Sequence, residues 1–366
     1  MSENTDTTMA PRLIGKPQSK ISAIFASRQL GWAGLAIALL FPFIIASNYA
    51  MSIMTTAVIF VLLASGLNIV VGYCGLLDLG YIAFMAVGAY TAGIVAKSFE
   101  LPLLFTIPAV VVMTVLAGLI IGAPTLRLRS DYLAIVTLGF GEIIRLTANN
   151  LTITGGPSGI FGIPGFHLFG LDLQQPVLFY YFCVLVVSAF VLASARLGKS
   201  RLGRAWRFVR EDEDAAEAMG IHTYKVKLMA YIFGAVWGGI GGVLFAAHLS
   251  AVSPRSFVFL QSALVLMAVV LGGMGNMRGV VVGAVAISLL PEFLRDLGNL
   301  RYVVFGVVLV AVMVLRPQGF WPVRAYEPER TGTPERRRKL QRRGQPDKPI
   351  AGPTDSPTPS KTGAEQ

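Results

Sequence analysis

Cysteine and histidine are scarce in this chain of 366 residues, which contains two cysteines and three histidines. Cys74 and Cys183 lie within or beside apolar segments, and two thiols are too few for the disulfide framework of a small secreted protein. His167, His222 and His248 are far apart in the sequence and lack the spacing of metal ligands. We therefore expect neither a metal site nor a redox site.

The recognisable motifs of catalytic sites are also lacking. The sequence has no HExxH motif, no evident constellation of serine, histidine and acid, and no carboxylate pair at an informative spacing. The tripeptide 198–200 imitates the end of a phosphate loop, but Ala193 stands where that motif requires glycine. We predict that the chain is not an enzyme and that it binds no ATP, magnesium or other cofactor itself.

Charge is sparse as well, because only 14% of the residues are charged whereas 54% are hydrophobic. The hydrophobic residues form runs long enough to cross a hydrocarbon core, which takes about 20 helical residues. The runs lie at 30–48, 51–73, 79–96, 102–123, 132–148, 177–195, 227–249, 260–274, 279–292 and 301–316. The two short runs at 260–274 and 279–292 could instead form a re-entrant pair. We predict an all-α polytopic transmembrane helix bundle of about 8–10 spans.

The basic residues have an uneven distribution that predicts the orientation. Lysine and arginine number 31 against 20 acidic residues, and they concentrate in the N-terminal arm, the loop at 196–227 and the tail. Excess positive charge marks the cytoplasmic side of a membrane protein, which explains the pattern better than a nucleic-acid partner. We therefore expect both termini in the cytoplasm. The predicted domains are an arm at 1–29, a membrane domain at 30–320 with a cytoplasmic loop at 196–226, and a disordered basic tail at 321–366.

The most informative loop segment is the charged insert 200–220, which stands between long apolar runs. Four arginines crowd its first half, so it faces the cytoplasm. Its second half contains Asp214, Ala215 and Ala216, whose small neighbouring side chains would let another protein approach the backbone. Gly220 suits the end of a helix. We predict that the insert is a helix on which a partner protein docks.

Four polar residues within or beside the apolar runs need an explanation, because polar groups inside a membrane are costly. They are Asn68, Asp78, Glu142 and Arg145. Glu142 and Arg145 lie three positions apart, so they can pair on one face of a helix, either as a structural ion pair or as the lining of a substrate path. Asp78 lies between glycines at 75–80, which fits a broken helix near a pathway.

The segment 152–160 is rich in turn-forming residues and carries no charge that would mark a cytoplasmic loop. Its centre is formed by Gly155, Gly156 and Pro157, residue types that favour tight turns. We predict an ordered loop at the outer mouth of a path. Glycines at four-residue spacing in two later runs favour close helix packing, which also suits helices that slide during transport.

Three segments together resemble the permease subunit of a branched-chain amino acid ABC importer, specifically the M-type subunit. They read GLNIVVGYCGLLDLGY at 66–81, LRLRSDYLAIVTLGFGEIIR at 126–145 and LTITGGPSG at 151–159. Further matches include the insert 200–220, and the resemblance covers about residues 50–320. It implies a permease of the bacterial inner membrane that translocates leucine, isoleucine or valine.

The resemblance also implies the partners. In importers of this kind a periplasmic binding protein delivers the amino acid to two permeases, and two ATP-hydrolysing subunits, which hold ATP and magnesium, dock on cytoplasmic coupling helices. The insert would be that helix. Its matching positions are Arg210, Glu211, Asp214, Ala215, Ala216, Glu217 and Gly220. It departs from the general importer signature, because Asp214 replaces the first glutamate and the residues at 230–233 replace the expected Ile-x-Leu-Pro.

Other functions remain open from the residues. Related permeases carry urea and short amides, and no span residue decides between those substrates and the aliphatic amino acids. A secondary carrier driven by protons or sodium would use Asp78 or Glu142 as its coupling-ion site. The third alternative is a membrane scaffold, in which the polar residues of the spans would do no more than pair with one another.

Overall fold

The fold was determined as a computed structural model. It describes residues 47–126, 130–168, 171–172 and 175–298, with isolated positions at 38, 40, 42, 300, 303, 304, 306, 307, 310 and 321. The chain divides into the units Met1–Val323 and Arg324–Gln366, and every described residue belongs to the first. The predicted N-terminal arm and almost all of the predicted tail lie outside the described residues.

Helices account for most of the described chain. They are α1 (Asn48–Leu67), α2 (Ile82–Phe99), α3 (Leu103–Thr125), α4 (Ser130–Asn150), α5 (Pro176–Lys199), α6 (Arg201–Glu211), α7 (Glu213–Ala218), α8 (Thr223–Leu249), α9 (Phe259–Gly272) and α10 (Met277–Phe293). Their bounds follow the predicted apolar runs closely, since the run predicted at 227–249 is α8 and that at 102–123 is α3. The prediction of an all-α bundle is confirmed.

Six helical stretches of the described chain are long and apolar enough to cross a membrane. They are Asn48–Tyr73, Ile82–Phe99, Leu103–Thr125, Pro176–Lys199, Thr223–Leu249 and Pro254–Gly272. The runs predicted at 30–48 and 301–316 lie mostly outside the described residues. The total of 8–10 spans and the cytoplasmic position of both termini therefore stay predictions.

The centre of the bundle is α8, which packs against α1, α2 and α3. Glycines bring its backbone close to these neighbours. A Cβ atom on Gly242 would lie 2.2 Å from the Met85 carbonyl oxygen, and one on Gly239 would lie 2.3 Å from the Thr114 Cγ2 atom. Larger side chains at these positions would push the helices apart, which is the physical reason for small residues at membrane helix contacts.

The helix that begins as α1 is interrupted before α2. After Leu67 it widens into a π-helical turn, Asn68–Tyr73, and the segment 74–81 that follows is not helical. Tyr81 closes this segment onto the bundle centre, because its hydroxyl donates a hydrogen bond to the Gly234 carbonyl at 2.9 Å. Asn68 therefore begins the π-helical turn, Asp78 lies in the segment that is not helical, and both side chains are fully buried.

Helices α9 and α10 form an antiparallel hairpin. A Cβ atom on Gly279 would lie 1.9 Å from the Gly272 carbonyl oxygen, and one on Gly283 would lie 2.3 Å from the Ala268 carbonyl oxygen. The 17 residues of α10 extend about 25 Å at 1.5 Å per residue, whereas the hydrocarbon core is about 30 Å thick. The choice between two crossings and a re-entrant pair stays a prediction.

Two small β-ladders complete the described fold. Strand β1 (Ile160–Phe161) pairs antiparallel with β4 (Ala251–Val252), so the loop after α4 is joined to the end of α8. Strands β2 (His167–Leu168) and β3 (Leu171–Asp172) form the second antiparallel pair. These short ladders fix the connections between helices at one end of the bundle.

Candidate functional site

The insert 200–220 folds as two short helices. Helix α6 ends at Glu211 and α7 begins at Glu213, while Asp212 between them has an extended backbone with φ −157° and ψ 113°. The Asp212 carboxylate accepts a hydrogen bond from the Ala215 N–H at 3.0 Å and thereby caps α7. The insert is therefore two helices where one was predicted, because the capping aspartate interrupts the helical backbone. The docking of a partner on it stays a prediction.

Helix α6 is anchored to the membrane bundle through Trp206. This side chain is fully buried, and its Nε1–H donates a hydrogen bond to the Val226 carbonyl at 2.8 Å. Its ring lies nearly parallel to that of Tyr73, with centroids 6.5 Å apart. Val209 is also buried, so one face of α6 belongs to the core. A burial of this kind holds the insert in a fixed position relative to the spans.

Arg210 at the end of α6 contacts its own chain. Its guanidinium donates a hydrogen bond to the Gly72 carbonyl in the π-helical turn. A Cβ atom on Gly75 would lie only 2.7 Å from the Arg210 Cγ atom, so the two segments are in close contact. This hydrogen bond holds the insert against the π-helical turn, while the contact of Arg210 with a partner stays a prediction.

Helix α7 is anchored by an ion pair and a buried methyl group. The Lys227 ammonium pairs with the Glu213 carboxylate, and the Lys227 side chain is only 7% exposed. Ala216 is 4% exposed and belongs to the hydrophobic core. The small side chain of Ala216 lets α7 approach the bundle of its own chain, and the docking of a partner on α7 stays a prediction.

The outward side of α7 and the residues just before and after this helix are exposed. Among these exposed residues, we define the α7 surface as Glu211, Asp214, Ala215, Glu217, Met219 and Gly220. Met219 is 83% exposed, the highest value among the large apolar side chains that the structure describes. Sequence reasoning missed Met219, although a methionine directly before the helix-ending glycine in a polar stretch is a signal that could have found it.

Gly220 ends the helical insert as its residue type predicts. Its φ is +83°, a left-handed conformation that costs other residues free energy. The Gly220 N–H donates to the Glu217 carbonyl at 2.9 Å, and the Ile221 N–H donates to the Ala216 carbonyl at 3.1 Å. These bonds satisfy the last carbonyls of α7 and turn the chain towards α8.

Asn68 lies where the π-helical turn contacts the connection between α9 and α10. It is fully buried, and its Oδ1 accepts a hydrogen bond from the Gly275 N–H at 2.8 Å. A Cβ atom on Gly72 would lie 1.9 Å from that oxygen. Because the Gly72 carbonyl also binds Arg210, the structure brings Asn68 and the insert together at one point.

Asp78 is fully buried in the irregular segment 74–81. Its Oδ1 accepts a hydrogen bond from the Gly80 N–H at 2.9 Å, and the Leu79 N–H donates to the Thr137 hydroxyl at 3.1 Å. Within the described residues, no cationic side chain forms an ion pair with Asp78. Its contacts hold the irregular segment against α4.

Glu142 and Arg145 pair on α4, as their spacing allows. The Arg145 Nε lies 3.0 Å from each carboxylate oxygen of Glu142, and its Nη2 bonds the same group. The side chains remain 43% and 25% exposed, respectively. Of the four polar span residues, these two are accessible from outside the chain, whereas Asn68 and Asp78 are enclosed.

The loop 152–160 is a compact turn. Gly155, Gly156 and Gly159 all have positive φ, at 79°, 58° and 82°, and Pro157 is exposed at the tip. The Thr154 hydroxyl donates to the Ala148 carbonyl at 2.6 Å and ties the turn to α4. The position of this loop at an outer mouth stays a prediction.

The described residues contain no group of three or more histidine, cysteine, aspartate or glutamate side chains that could hold a metal ion. Cys74 and Cys183 are both buried and unpaired.

Residues 49–313 match the family described as the permease component of branched-chain amino acid transport systems. The chain belongs to this family. The match extends from α1 through α10 and includes the whole insert and the α4 ion pair. This permease is a multi-pass membrane protein and, as the permease component of a transport system, a non-catalytic subunit.

Curated relatives agree with the family. The permease is 41% identical over 315 residues to the high-affinity branched-chain amino acid transport system permease protein LivM of Salmonella typhimurium, covering 79% of this chain and 73% of that protein. It is 28% identical over 179 residues to the probable LivM permease of Methanocaldococcus jannaschii, covering 47% and 52%. It is 31% identical over 90 residues to the permease protein LivH of Escherichia coli, covering 25% and 29%. No solved structure matches this chain.

Proposed function

We propose that this permease translocates leucine, isoleucine and valine across a bacterial inner membrane, as one of two permease subunits in an ATP-driven importer. The observation that carries the proposal is the 41% identity over 79% of the chain to a permease named for high-affinity branched-chain amino acid transport. The separate similarity to LivH, another permease named for the same transport, supports a heterodimer of two related permeases. A periplasmic binding protein would deliver the amino acid.

Energy would reach this permease from two separate ATP-binding subunits, which would hold ATP and magnesium. The α7 surface is suited to dock one of them, because it is exposed. The insert that carries this surface is fixed to the bundle by the buried Trp206 side chain and by the ion pair of Lys227 with Glu213. Its acidic side chains favour a basic partner surface, and Met219 offers an apolar contact at its edge.

Reconstitution tests the function directly. The permease, a candidate second permease and two candidate ATPases are placed in liposomes with the binding protein, and uptake of radiolabelled leucine is measured with and without ATP. Leucine uptake that depends on both ATP and the binding protein is expected. Uptake of urea or short amides without uptake of leucine would overturn the substrate assignment. Uptake driven by an ion gradient without the ATPases would overturn the whole proposal.

The docking surface has its own test. Met219→Asp places a charge at the apolar edge of the α7 surface and is expected to reduce both leucine uptake and recovery of the ATPases with the permease at least tenfold. Met219→Leu keeps an apolar side chain of similar size and is the matched control. Because Met219 is exposed in the isolated permease, neither change should lower its thermal stability. Full coupling in Met219→Asp would show that the ATPases dock elsewhere.

A further inference from the structure

Helix α4 differs from the other long helices of the described bundle. It has 21 residues, enough to cross a hydrocarbon core of about 30 Å, yet it is not among the six described stretches that are long and apolar enough to cross a membrane. It carries Glu142 near its middle and Arg145 one turn later. Ionisable side chains at such a depth are expected to face protein or a water-filled cavity.

Within the part of the chain that the structure describes, other elements cover only one side of α4. Leu133, Ala134, Thr137 and Ala148 are buried against the bundle. The opposite side is open and consists mainly of apolar side chains, namely Tyr132, Ile135, Ile143 and Leu146, with Gly139 between them. A Cβ atom on Gly139 would meet no atom within 4 Å, so the space beside this glycine is open.

The ion pair lies on the flank of this open side. Helical geometry places Glu142 on the same side as Ile135 and Gly139, and Arg145 reaches back to it from the next turn. Lipid is a poor neighbour for this arrangement, because a partly exposed ion pair facing hydrocarbon loses its hydration without further hydrogen bonds. In a permease that carries a charged substrate, such an ion pair can bind the charged groups of the substrate.

Resting on the proposed function, we infer that the open side of α4 is one wall of the translocation path and that Glu142 and Arg145 bind the zwitterionic end of the amino acid in transit. The α-ammonium group of the substrate is complementary to the Glu142 carboxylate, and its α-carboxylate is complementary to the Arg145 guanidinium. The substrate exchanges its own charges for those of the pair, and no covalent bond changes. The neighbouring Ile135, Gly139 and Ile143 accept an aliphatic side chain.

Binding is distinguished from a structural ion pair by comparing single and double neutral variants. Glu142→Gln, Arg145→Gln and Glu142→Gln/Arg145→Gln are assembled with the partner subunits, and ATP-driven leucine uptake is measured together with thermal stability. A structural pair predicts that the double variant recovers relative to the single ones, because no charge is left unpaired. The binding role predicts a loss of at least tenfold in the double variant, with assembly and stability retained.

The chain offers a matched control. Glu292 at the end of α10 and Arg295 just after it form another glutamate–arginine pair at a spacing of three residues, which also contacts Tyr49 of α1. Glu292→Gln/Arg295→Gln should transport leucine within about twofold of the unmodified complex. A similar loss in both double variants would show a general effect of removing such pairs and would overturn the inference.

Thiol labelling supplies a readout that is independent of transport. Gly139→Cys should react with a water-soluble maleimide in the assembled complex, whereas Leu185→Cys, on an exposed part of the span α5, should remain unlabelled in the membrane. The native Cys74 and Cys183 are buried and contribute little background. An unreactive Gly139→Cys, together with dissociation of the complex in the double variant, would identify this side as a contact between permeases only and overturn the inference.

Failure of this inference differs from failure of the proposed function. If the unmodified complex carries no leucine, both are overturned. If the unmodified complex carries leucine and the Glu142→Gln/Arg145→Gln complex carries it equally well, only the assignment of the pair is overturned.

Discussion

The buried ammonium group of Lys227 pairs with the carboxylate of Glu213 and joins α7 to the beginning of α8. Lys227 is 7% exposed whereas Glu213 is 46% exposed, so the two partners lie in different surroundings. Helix α8 continues from this contact into the centre of the bundle, where its glycines pack against α1 and α2. The α7 surface is therefore close to α8, so a partner that docks on α7 acts near the central helix of the bundle.

The unequal burial predicts unequal effects of removing either charge. Glu213→Gln leaves the Lys227 ammonium enclosed without its counterion and should destabilise the packing of α7 by about 2 kcal/mol, less than for a fully buried pair. Lys227→Met removes the enclosed charge and leaves an exposed carboxylate, so it should be milder. Limited proteolysis of the insert and thermal unfolding in detergent measure both effects.

Glu217→Gln is the control for this comparison, because it makes the same change on the exposed side of α7. It should leave proteolysis and unfolding unaltered. If Lys227→Met proves more damaging than Glu213→Gln, the burial of the lysine is not what makes the pair important.

Trp206 should be the strongest single anchor of the insert. Trp206→Ala removes a fully buried aromatic side chain and its hydrogen bond to Val226, and should cost about 3–5 kcal/mol. Trp206→Phe keeps most of the packing against Tyr73 but loses the hydrogen bond, for a cost of about 1 kcal/mol. Fluorescence-detected thermal unfolding orders the two variants. Equal stability of Trp206→Ala and the unmodified protein would contradict the anchoring role.

Gly72 should tolerate no side chain. Gly72→Ala would place a Cβ atom 1.9 Å from the Asn68 Oδ1 and 2.6 Å from the Gly275 nitrogen, so the hydrogen bond between those residues must lengthen or break. We expect lower stability and weaker attachment of Arg210. Gly139→Ala is the stability control, since its Cβ atom would meet nothing within 4 Å. Thermal unfolding of the two variants, measured side by side, decides the matter.

Asp78 should act through hydrogen bonds and not through its charge. Asp78→Asn keeps an oxygen for the Gly80 N–H and removes a buried charge, so folding and leucine uptake should persist. Asp78→Ala leaves that buried N–H without its partner and should cost about 1–3 kcal/mol. Uptake assays and thermal unfolding are compared for both variants. A loss of uptake in a stable Asp78→Asn protein would favour a role for the charge, as an ion-coupled carrier requires.

Much of the fold could be predicted from the sequence, because crossing a membrane places a simple requirement on consecutive residues. A helix that crosses hydrocarbon must satisfy its own backbone groups over about 20 apolar residues, so the apolar runs predict the spans. The run predicted at 132–148 is α4, Ser130–Asn150, and the pairing of Glu142 with Arg145 follows from their spacing on that helix.

Which residues of the candidate site are buried was harder to predict from the sequence, since burial depends on which other element lies beside a residue. Helix α7 has six residues, too few for a periodic pattern to show which side faces the bundle. Ala216 turns inward and Met219 outward, although both were embedded in the same polar segment. Nothing local indicates that Arg210 meets Gly72, because the two are separated by 138 positions.

By itself the sequence determined that this protein is helical, because the backbone of a membrane span must satisfy its hydrogen bonds among consecutive residues. It also determined that the protein is a permease, because segments like those of the family occur in the same order along the chain. Only the tertiary structure decided that the insert is two helices fixed to the bundle, that Asn68 and Asp78 are enclosed, and that the α4 ion pair is open to the outside. Those outcomes depend on contacts between distant segments, in which packing and not local pattern selects the partner.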